Sequence, residues 1–433
     1  MIFRVFICFW ISCYAWAQSS KNLQWFSDAR FGLFINWTLD YEPQDPESVA
    51  RSLENVKKEA NKFDASMFQP KEWAKTFKEW GVRYVIITAK SRVGFTLFES
   101  PVFDLDAKKA TPARRDLLKE FTEAMRAEGI KIGFQYSLAD YSHPFYHAVR
   151  KEDGKVKVDY FNWSQYLEKL QAELKHLCTA YGKIDILWLD GAEERPIGFW
   201  QKEDILSIVQ QHQPHLLMNN PFNLSGFGDY KTIRAGDSIR AVLSEGVVWE
   251  YYFPLGFAWR GAQAETHIKP AYELVRIFED VAKRGGNLLI NIYADYHGNI
   301  SQEQRKSIAA FASWMKQNEE AVYNVTPISV AGVFNGSINK RGNILYLIAF
   351  ENSRNELLIK GLQNEVEEIV HLKTGQKLSW RQSADVTQFN QKGWIYFKLP
   401  AELEDSIATV VTVKLKSSKL MIRGHDGKLY EWN

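Results

Sequence analysis

The chain has 433 residues, enough for two or three domains at roughly 150 residues each, and 45% of them are hydrophobic, enough for a large core. A formal net charge of +2 gives no global reason to expect nucleic acid or an anionic membrane as partner. Aromatic side chains make up 14% of the chain and include 15 tryptophans. That suits stacking on sugar faces, but it equally suits a large packed core.

The first residues read as an export signal. Arg4 supplies positive charge, Val5 to Trp16 is mostly apolar, and Ala15-Trp16-Ala17 has the small-residue pattern of a cleavage site. Residues 1–17 are therefore expected to be removed after Ala17, leaving a secreted or periplasmic protein. No later stretch reaches the ~20 apolar residues of a membrane span. Cys8 and Cys13 depart with the signal; the context of Cys13 gives little support to a lipid anchor. Cys178 then stands alone in an apolar helical stretch, as an inert core thiol would.

From Trp25 onward strands and helices alternate. Arg30 to Trp37, Val82 to Thr88, Lys131 to Ser137 and the run from Ile184 read as strands, as do Leu216 to Asn219, 241–252 and Asn287 to Ile292. Helices are expected over Pro70–Trp80, Pro112–Glu128, Asn162–Tyr181, Lys202–His212, Lys269–Arg284 and Gln302–Gln317. This repetition over about 300 residues points to an α/β fold, a (β/α)8-like TIM barrel, over residues 18–326. An open doubly wound sheet is the alternative, and no Gly-x-Gly-x-x-Gly follows an early strand to suggest a dinucleotide.

After about Thr326 the texture becomes short β-branched and aromatic runs: Val330–Phe334, Ile344–Phe350, Glu356–Lys360, Glu367–Leu372, Trp394–Leu399 and Thr409–Leu415. Turns of Gly, Asn and charged residues separate them. They predict a C-terminal antiparallel β-sandwich over 327–416, followed by a polar tail, 417–433.

The stretch Tyr181 to Glu194 carries the clearest chemical signal. The apolar run Ile184, Ile186, Leu187, Leu189 is bounded by Gly182 and Gly191, and it ends on Asp190. An acid at the C-terminal end of a barrel strand stands where catalytic groups sit in such barrels, although strand-end acids also serve as helix caps.

Several motifs, in order, resemble glycoside hydrolase family 29, the α-L-fucosidases. Trp25-Phe26-x-x-Ala29-Arg30-Phe31-Gly32-Leu33-Phe34-Ile35 is similar to that family's opening W-F-x-x-A-K-F-G-I-F-I. Phe63-Asp64 with Glu72-Trp73, Thr88-Ala89-Lys90 with Gly94-Phe95, and Gly133 to Ser137 follow its pattern. So do Tyr181-Gly182-x-Ile184-Asp185 through Trp188-x-Asp190-Gly191, and Gly285-Gly286-Asn287-Leu288-Leu289-Ile290-Asn291 with Gly298-x-Ile300.

The resemblance implies a retaining exo-glycosidase that acts on a glycan or oligosaccharide by double displacement, with Asp190 as nucleophile. It needs a second group to protonate the leaving oxygen. The family places that acid variously. One slot here holds Arg234, which has no proton to give. The other survives as Trp249-Glu250, so Glu250 is the first choice, Glu245 the second, and Glu193 or Glu194 the third.

Asn36, Trp37, Lys90, Arg92, Tyr136, Trp188, Arg234, Trp249 and Trp259 are the expected substrate-binding residues, and Asp140-Tyr141 are further candidates. Several family positions are changed: Asn36 stands for a histidine, Ser91-Arg92-Val93 for His-His-Asp, and Pro221 for an arginine. Arg92 and Arg234 suggest an acidic or sulfated sugar as an alternative substrate. A non-catalytic sugar-binding protein on the same scaffold is the other alternative. His143, His147, His267 and His297 have no metal-ligand spacing, so neither metal nor cofactor is expected.

Overall fold

The computed structural model describes residues 23–40, 49–152, 155–224, 227–237, 247–259, 261–350, 356–383 and 393–433. The signal region, Glu245 and the first half of the stretch 241–252 lie outside them. By contact the chain divides into two units, Met1–Ile268 with Gly285–Arg305, and Lys269–Arg284 with Lys306–Asn433. Among the described residues no helix is long and apolar enough to cross a membrane.

The first unit is built on eight parallel strands: β1 (Phe31–Asn36), β2 (Tyr84–Lys90), β3 (Lys131–Ser137), β4 (Ile186–Asp190), β5 (Leu217–Met218), β6 (Lys231–Arg234), β7 (Trp249–Pro254) and β8 (Asn287–Tyr293). They lie side by side in the order β5-β4-β3-β2-β1-β8-β7-β6. A parallel bridge between Asn219 and Tyr230 joins the two ends of that order, so the sheet curls into the expected barrel. Every residue of β2 and β8 is buried, as strands covered on both faces must be.

The helices between strands form where apolar spacing and end signals agree. Pro70–Glu79 starts on its proline and buries Trp73, Ala74 and Phe77. Leu117–Ala127 and Tyr160–Ala180 are capped by Asp116 and Asp159, whose carboxylates accept from the backbone N–H groups of Lys119 and Asn162. Lys202–His212 and Gln302–Gln317 have the expected bounds.

Several elements of this unit were not expected, among them an antiparallel hairpin of Val149–Glu152 with Lys155–Val158. Helix Val49–Ala60 lies between β1 and β2. Strand β6 has four residues, and its Thr232 and Arg234 interrupt any apolar run.

The barrel interior is filled in layers. Phe26, from the turn of helix before β1, packs near Tyr84 and Tyr230 at the end where the strands begin; Phe34, Trp188 and Tyr252 lie above them. The C-terminal ends of the strands surround the open mouth.

In the second unit, helix Ala271–Lys283 and most of Gln302–Gln317 accompany a five-stranded and a three-stranded antiparallel sheet. The two sheets enclose a core of Leu345, Leu347, Leu357, Ile359, Phe397, Val411 and Val413, the anticipated sandwich. Its strands include Thr326–Ile328 and Gly336–Arg341 in place of the expected strand Val330–Phe334. Within that run Val333 is buried in the core, but its backbone forms a turn. The stretch expected as a polar tail pairs Leu420–Arg423 with Leu429–Trp432 and buries Leu420 and Ile422 in the same core.

Candidate active site

Asp190 is the last residue of β4 and sits at the mouth of the barrel. Gly191 follows it at φ 75°, and a Cβ there would meet the Ala139 nitrogen at 2.9 Å. Only glycine both allows that left-handed turn and clears the neighbouring loop. The chain then makes a short 3₁₀ turn, Ala192–Glu194, which brings Glu193 and Glu194 back over the mouth.

Both expected arginines reach Asp190. Arg92 grips it side-on, donating from Nε to Oδ2 at 3.0 Å and from Nη2 to Oδ1 at 2.9 Å. Arg234, the last residue of β6, donates from Nη2 to Oδ1 at 2.6 Å. Arg92 also donates from Nη2 to Glu193 at 2.5 Å and from Nη1 to Glu194 at 3.0 Å. Glu194 accepts in addition from the Tyr141 hydroxyl at 2.6 Å.

Burial by itself would raise the pKa of Asp190. The hydrogen bonds and charge of Arg92, helped by Arg234, outweigh that and pull it down to about 2. Asp190 is therefore ionised at any physiological pH.

A cavity of about 380 Å³ opens above Asp190. Phe34, Trp188, Tyr252 and Trp259 supply its apolar surface; Asn36, Thr88, Ser91, Gln135 and Asp237 add polar groups beside Arg92 and Arg234. Asn36, Arg92, Trp188, Arg234 and Trp259 are thus gathered around Asp190 as the sequence suggested. Gln135, Thr88 and Tyr252 were missed. For Tyr252 the signal was the two-residue period of its strand, which puts it on the same face as Glu250.

Six expected residues lie elsewhere. The Trp37 indole is buried against Phe63, Phe68 and Trp73 and donates to the Asp295 carbonyl. The Trp249 ring faces outward, under Gly286. Lys90 is fully buried in an ionic cluster with Asp140, Lys169 and Glu173, and Tyr136 donates its hydroxyl to Glu173 at 2.6 Å. Asp140, also a candidate for the pocket, belongs to that cluster.

Glu250 is the sixth, and its position matters most. It is the second residue of β7, near the strand's start, with no exposed surface, and it does not line the cavity. Its Oε1 accepts from the Trp188 indole Nε1 at 2.8 Å and from the Thr232 hydroxyl at 2.8 Å; its Oε2 accepts from the Tyr84 hydroxyl at 3.1 Å. Burial pushes its pKa up to about 7 against those hydrogen bonds. Among the described residues no group of three or more His, Cys, Asp or Glu side chains could hold a metal ion.

Comparison with known proteins places this geometry. The family model described as Alpha-L-fucosidase matches residues 13–320. The tissue alpha-L-fucosidase of Macaca fascicularis is 27% identical over 367 residues, which span 77% of this chain and 76% of that protein. The tissue enzyme of Rattus norvegicus is 28% identical over 345 residues, 73% of this chain and 72% of that protein. Among solved structures, alpha-L-fucosidase isoenzyme 1 from Paenibacillus thiaminolyticus superposes with a TM-score of 0.77 at 25% identity, over 92% of this chain and 100% of that one. A fucosidase from Bacteroides thetaiotaomicron, at 22% identity and a TM-score of 0.73 over 92% of this chain and 95% of that one, shares the fold.

Proposed function

Because the chain belongs to the alpha-L-fucosidase family of glycoside hydrolases, we propose that it is a retaining exo-glycosidase that removes a terminal α-L-fucosyl or closely related sugar from a glycan. The observation that carries this reading is Asp190, held ionised at the end of β4 and beneath a sugar-sized cavity. Its Oδ1 accepts two guanidinium hydrogen bonds and Oδ2 one. Oδ2 keeps a lone pair and is the oxygen that attacks the anomeric carbon.

Glu193 is the acid/base in this reading, in place of Glu250. Its Oε1 and Asp190 Oδ1 share the Arg92 Nη2, so by the two distances they lie no more than about 5.4 Å apart. Retaining enzymes hold their carboxyls about 5 to 5.5 Å apart. To act as the acid Glu193 must first take up a proton from solvent, to which it is open, and leave its ion pair with Arg92. It then protonates the leaving oxygen as the glycosyl–Asp190 ester forms, and as a carboxylate takes a proton from the water that hydrolyses the ester. Phe34, Trp188, Tyr252 and Trp259 offer an apolar wall that suits the methyl group of a 6-deoxy sugar.

The balance of charge favours a neutral sugar over an acidic or sulfated one. The Arg92 guanidinium is engaged by Asp190, Glu193 and Glu194, and with Asp237 four carboxyl groups face two guanidiniums. The apolar N-terminal run and Ala15-Trp16-Ala17 support export before the enzyme meets its glycan.

The test is turnover of a panel of 4-nitrophenyl glycosides, α-L-fucoside included, by the wild type, Asp190→Ala and Glu193→Ala. Fucoside hydrolysis lost in Asp190→Ala, with Glu193→Ala rescued by azide as a glycosyl azide of retained configuration, supports the assignment. Hydrolysis that survives Asp190→Ala would end it. A wild type silent on the whole panel while it still binds sugars would favour the non-catalytic alternative.

A further inference from the structure

Glu250 stands directly beneath the pocket and is joined to both strands whose last residues meet there. Trp188 precedes Asp190 by two residues on β4, and Thr232 precedes Arg234 by two residues on β6. Side chains two apart on a strand share a face, so Trp188 and Thr232 form the layer below Asp190 and Arg234. Both donate to the same oxygen of Glu250 at 2.8 Å, while Tyr84 of β2 holds the other oxygen. The Arg234 guanidinium in turn lies over the Trp188 ring, 5.5 Å from its centroid.

We propose that Glu250 is a positioning residue, whose carboxylate ties β4 to β6 from below and so fixes Trp188, the floor of the pocket, and the alignment of Arg234 with Asp190. This assignment rests on the reading of Asp190 as nucleophile. It excludes Glu250 from proton transfer to substrate, since a carboxyl with no exposed surface beneath the indole cannot reach a leaving oxygen in the cavity.

The chemistry of the donors explains why an acid is needed there. Trp188 Nε1–H can only donate, whereas a carboxylate only accepts and has room for several donors. A protonated Glu250 carries an O–H that a neighbouring hydroxyl can accept, whereas the indole cannot take part in that exchange. The groups that face Glu250 are otherwise neutral: Tyr84 from β2, Trp188 from β4, Thr232 from β6 with Tyr230 just before it, and Tyr252 from its own strand. Asp229 acts on Tyr230, and Asp190, Arg234 and Arg92 on Tyr252, as the nearest charges beyond them. Burial brings the titration of Glu250 close to neutral pH, so the tie is open to observation.

Two measurements test the proposal. The first is the ¹H–¹⁵N resonance of the Trp188 indole, assigned with Trp188→Phe, followed from pH 5 to 9 in the full-length protein. It should shift with a midpoint near 7 in the wild type and stay still in Glu250→Gln, whose spectrum also shows whether that variant is folded. The second is the rate of Glu250→Gln on aryl fucosides with good and poor leaving groups, with and without azide. A positioning role lowers kcat on both substrates by a similar factor, about 10- to 100-fold for a misplacement under 1 Å, with no azide rescue.

A loss confined to poor leaving groups and rescued by azide would overturn the proposal and make Glu250 the acid/base. An indole resonance that is the same in the wild type and in Glu250→Gln at every pH would also overturn it, since the carboxylate would then not hold the ring. If the wild type turns over no glycoside, the proposed activity fails, and the indole titration alone decides whether Glu250 holds the floor.

Discussion

One indole ring separates two carboxyl groups of opposite character. At the mouth, Asp190 is pulled down to about 2; at the floor, Glu250 is pushed up to about 7. Both are deeply set and both accept three hydrogen bonds from side chains. The difference lies in who donates. Asp190's donors are two guanidiniums, whose charge offsets the loss of water. Glu250's donors are an indole and two hydroxyls, which carry no charge to offset it. Counting hydrogen bonds does not give the charge state of a buried acid; the formal charge of the donors does.

The contrast is broken most completely by removing the mouth acid. Asp190→Ala should lower kcat on 4-nitrophenyl α-L-fucoside by about four orders of magnitude or more, since it removes the carboxylate that forms the glycosyl ester. Burst-free kinetics with residual turnover near the wild-type level would return Asp190 to the role of a structural acid. Next in size is Glu193→Ala, expected to cost roughly 10²- to 10⁴-fold on substrates with poor leaving groups and much less on those with good ones. A loss that is independent of the leaving group would remove Glu193 from proton transfer.

The guanidinium that makes the two acids unlike is Arg92. Replacing it by Gln removes the charge and the side-on grip, so the pKa of Asp190 should rise by roughly 1 to 3 pH units. For the wild type the acidic limb of kcat/KM set by Asp190 lies near 2, below any useful assay. In Arg92→Gln it should climb into the range above pH 3 and become measurable. A profile of unchanged shape would show that Arg234 alone holds Asp190 ionised.

What the sequence conveyed and what it withheld follow the same division between strand and depth. The long apolar strands and the capped, periodic helices were legible because each is locally consistent. Strand β6 was not, because its inward residues are Thr232 and Arg234, polar for the sake of the pocket, in a run of four. Asp190 could be placed because it ends its strand just before a glycine. Glu250 stood in an equally convincing Trp-Glu motif, but it is the second residue of β7 while Asp190 is the last of β4. A motif reports that a residue is on a strand, and only the register reports the layer. Trp37, Trp249 and Tyr136 illustrate the companion problem, since aromatic side chains that suit a sugar also suit a core.

The last prediction uses stability, and the two acids should act on it in opposite directions. Asp190's pKa is depressed in the folded state, so its contribution is present above the unfolded pKa near 3.9 and is lost as pH falls toward 2. Glu250's is raised, so its contribution is intact below the unfolded pKa near 4.5 and is lost as pH climbs through about 7. Between pH 5 and about 7 the folded wild type holds a proton that the unfolded chain has released, and its unfolding free energy, read from urea titrations, should decline by an amount on the order of 2 to 3 kcal/mol by pH 8. Glu250→Gln should flatten that decline without altering the loss below pH 4. Glu279, buried in the second unit on helix Ala271–Lys283 and likewise raised to about 7 by burial, adds a slope of the same sign. Glu279→Gln is therefore the necessary control. If Glu250→Gln leaves the decline intact and Glu279→Gln removes it, the floor carboxyl is ionised throughout, and the three neutral donors are sufficient to hold a buried charge.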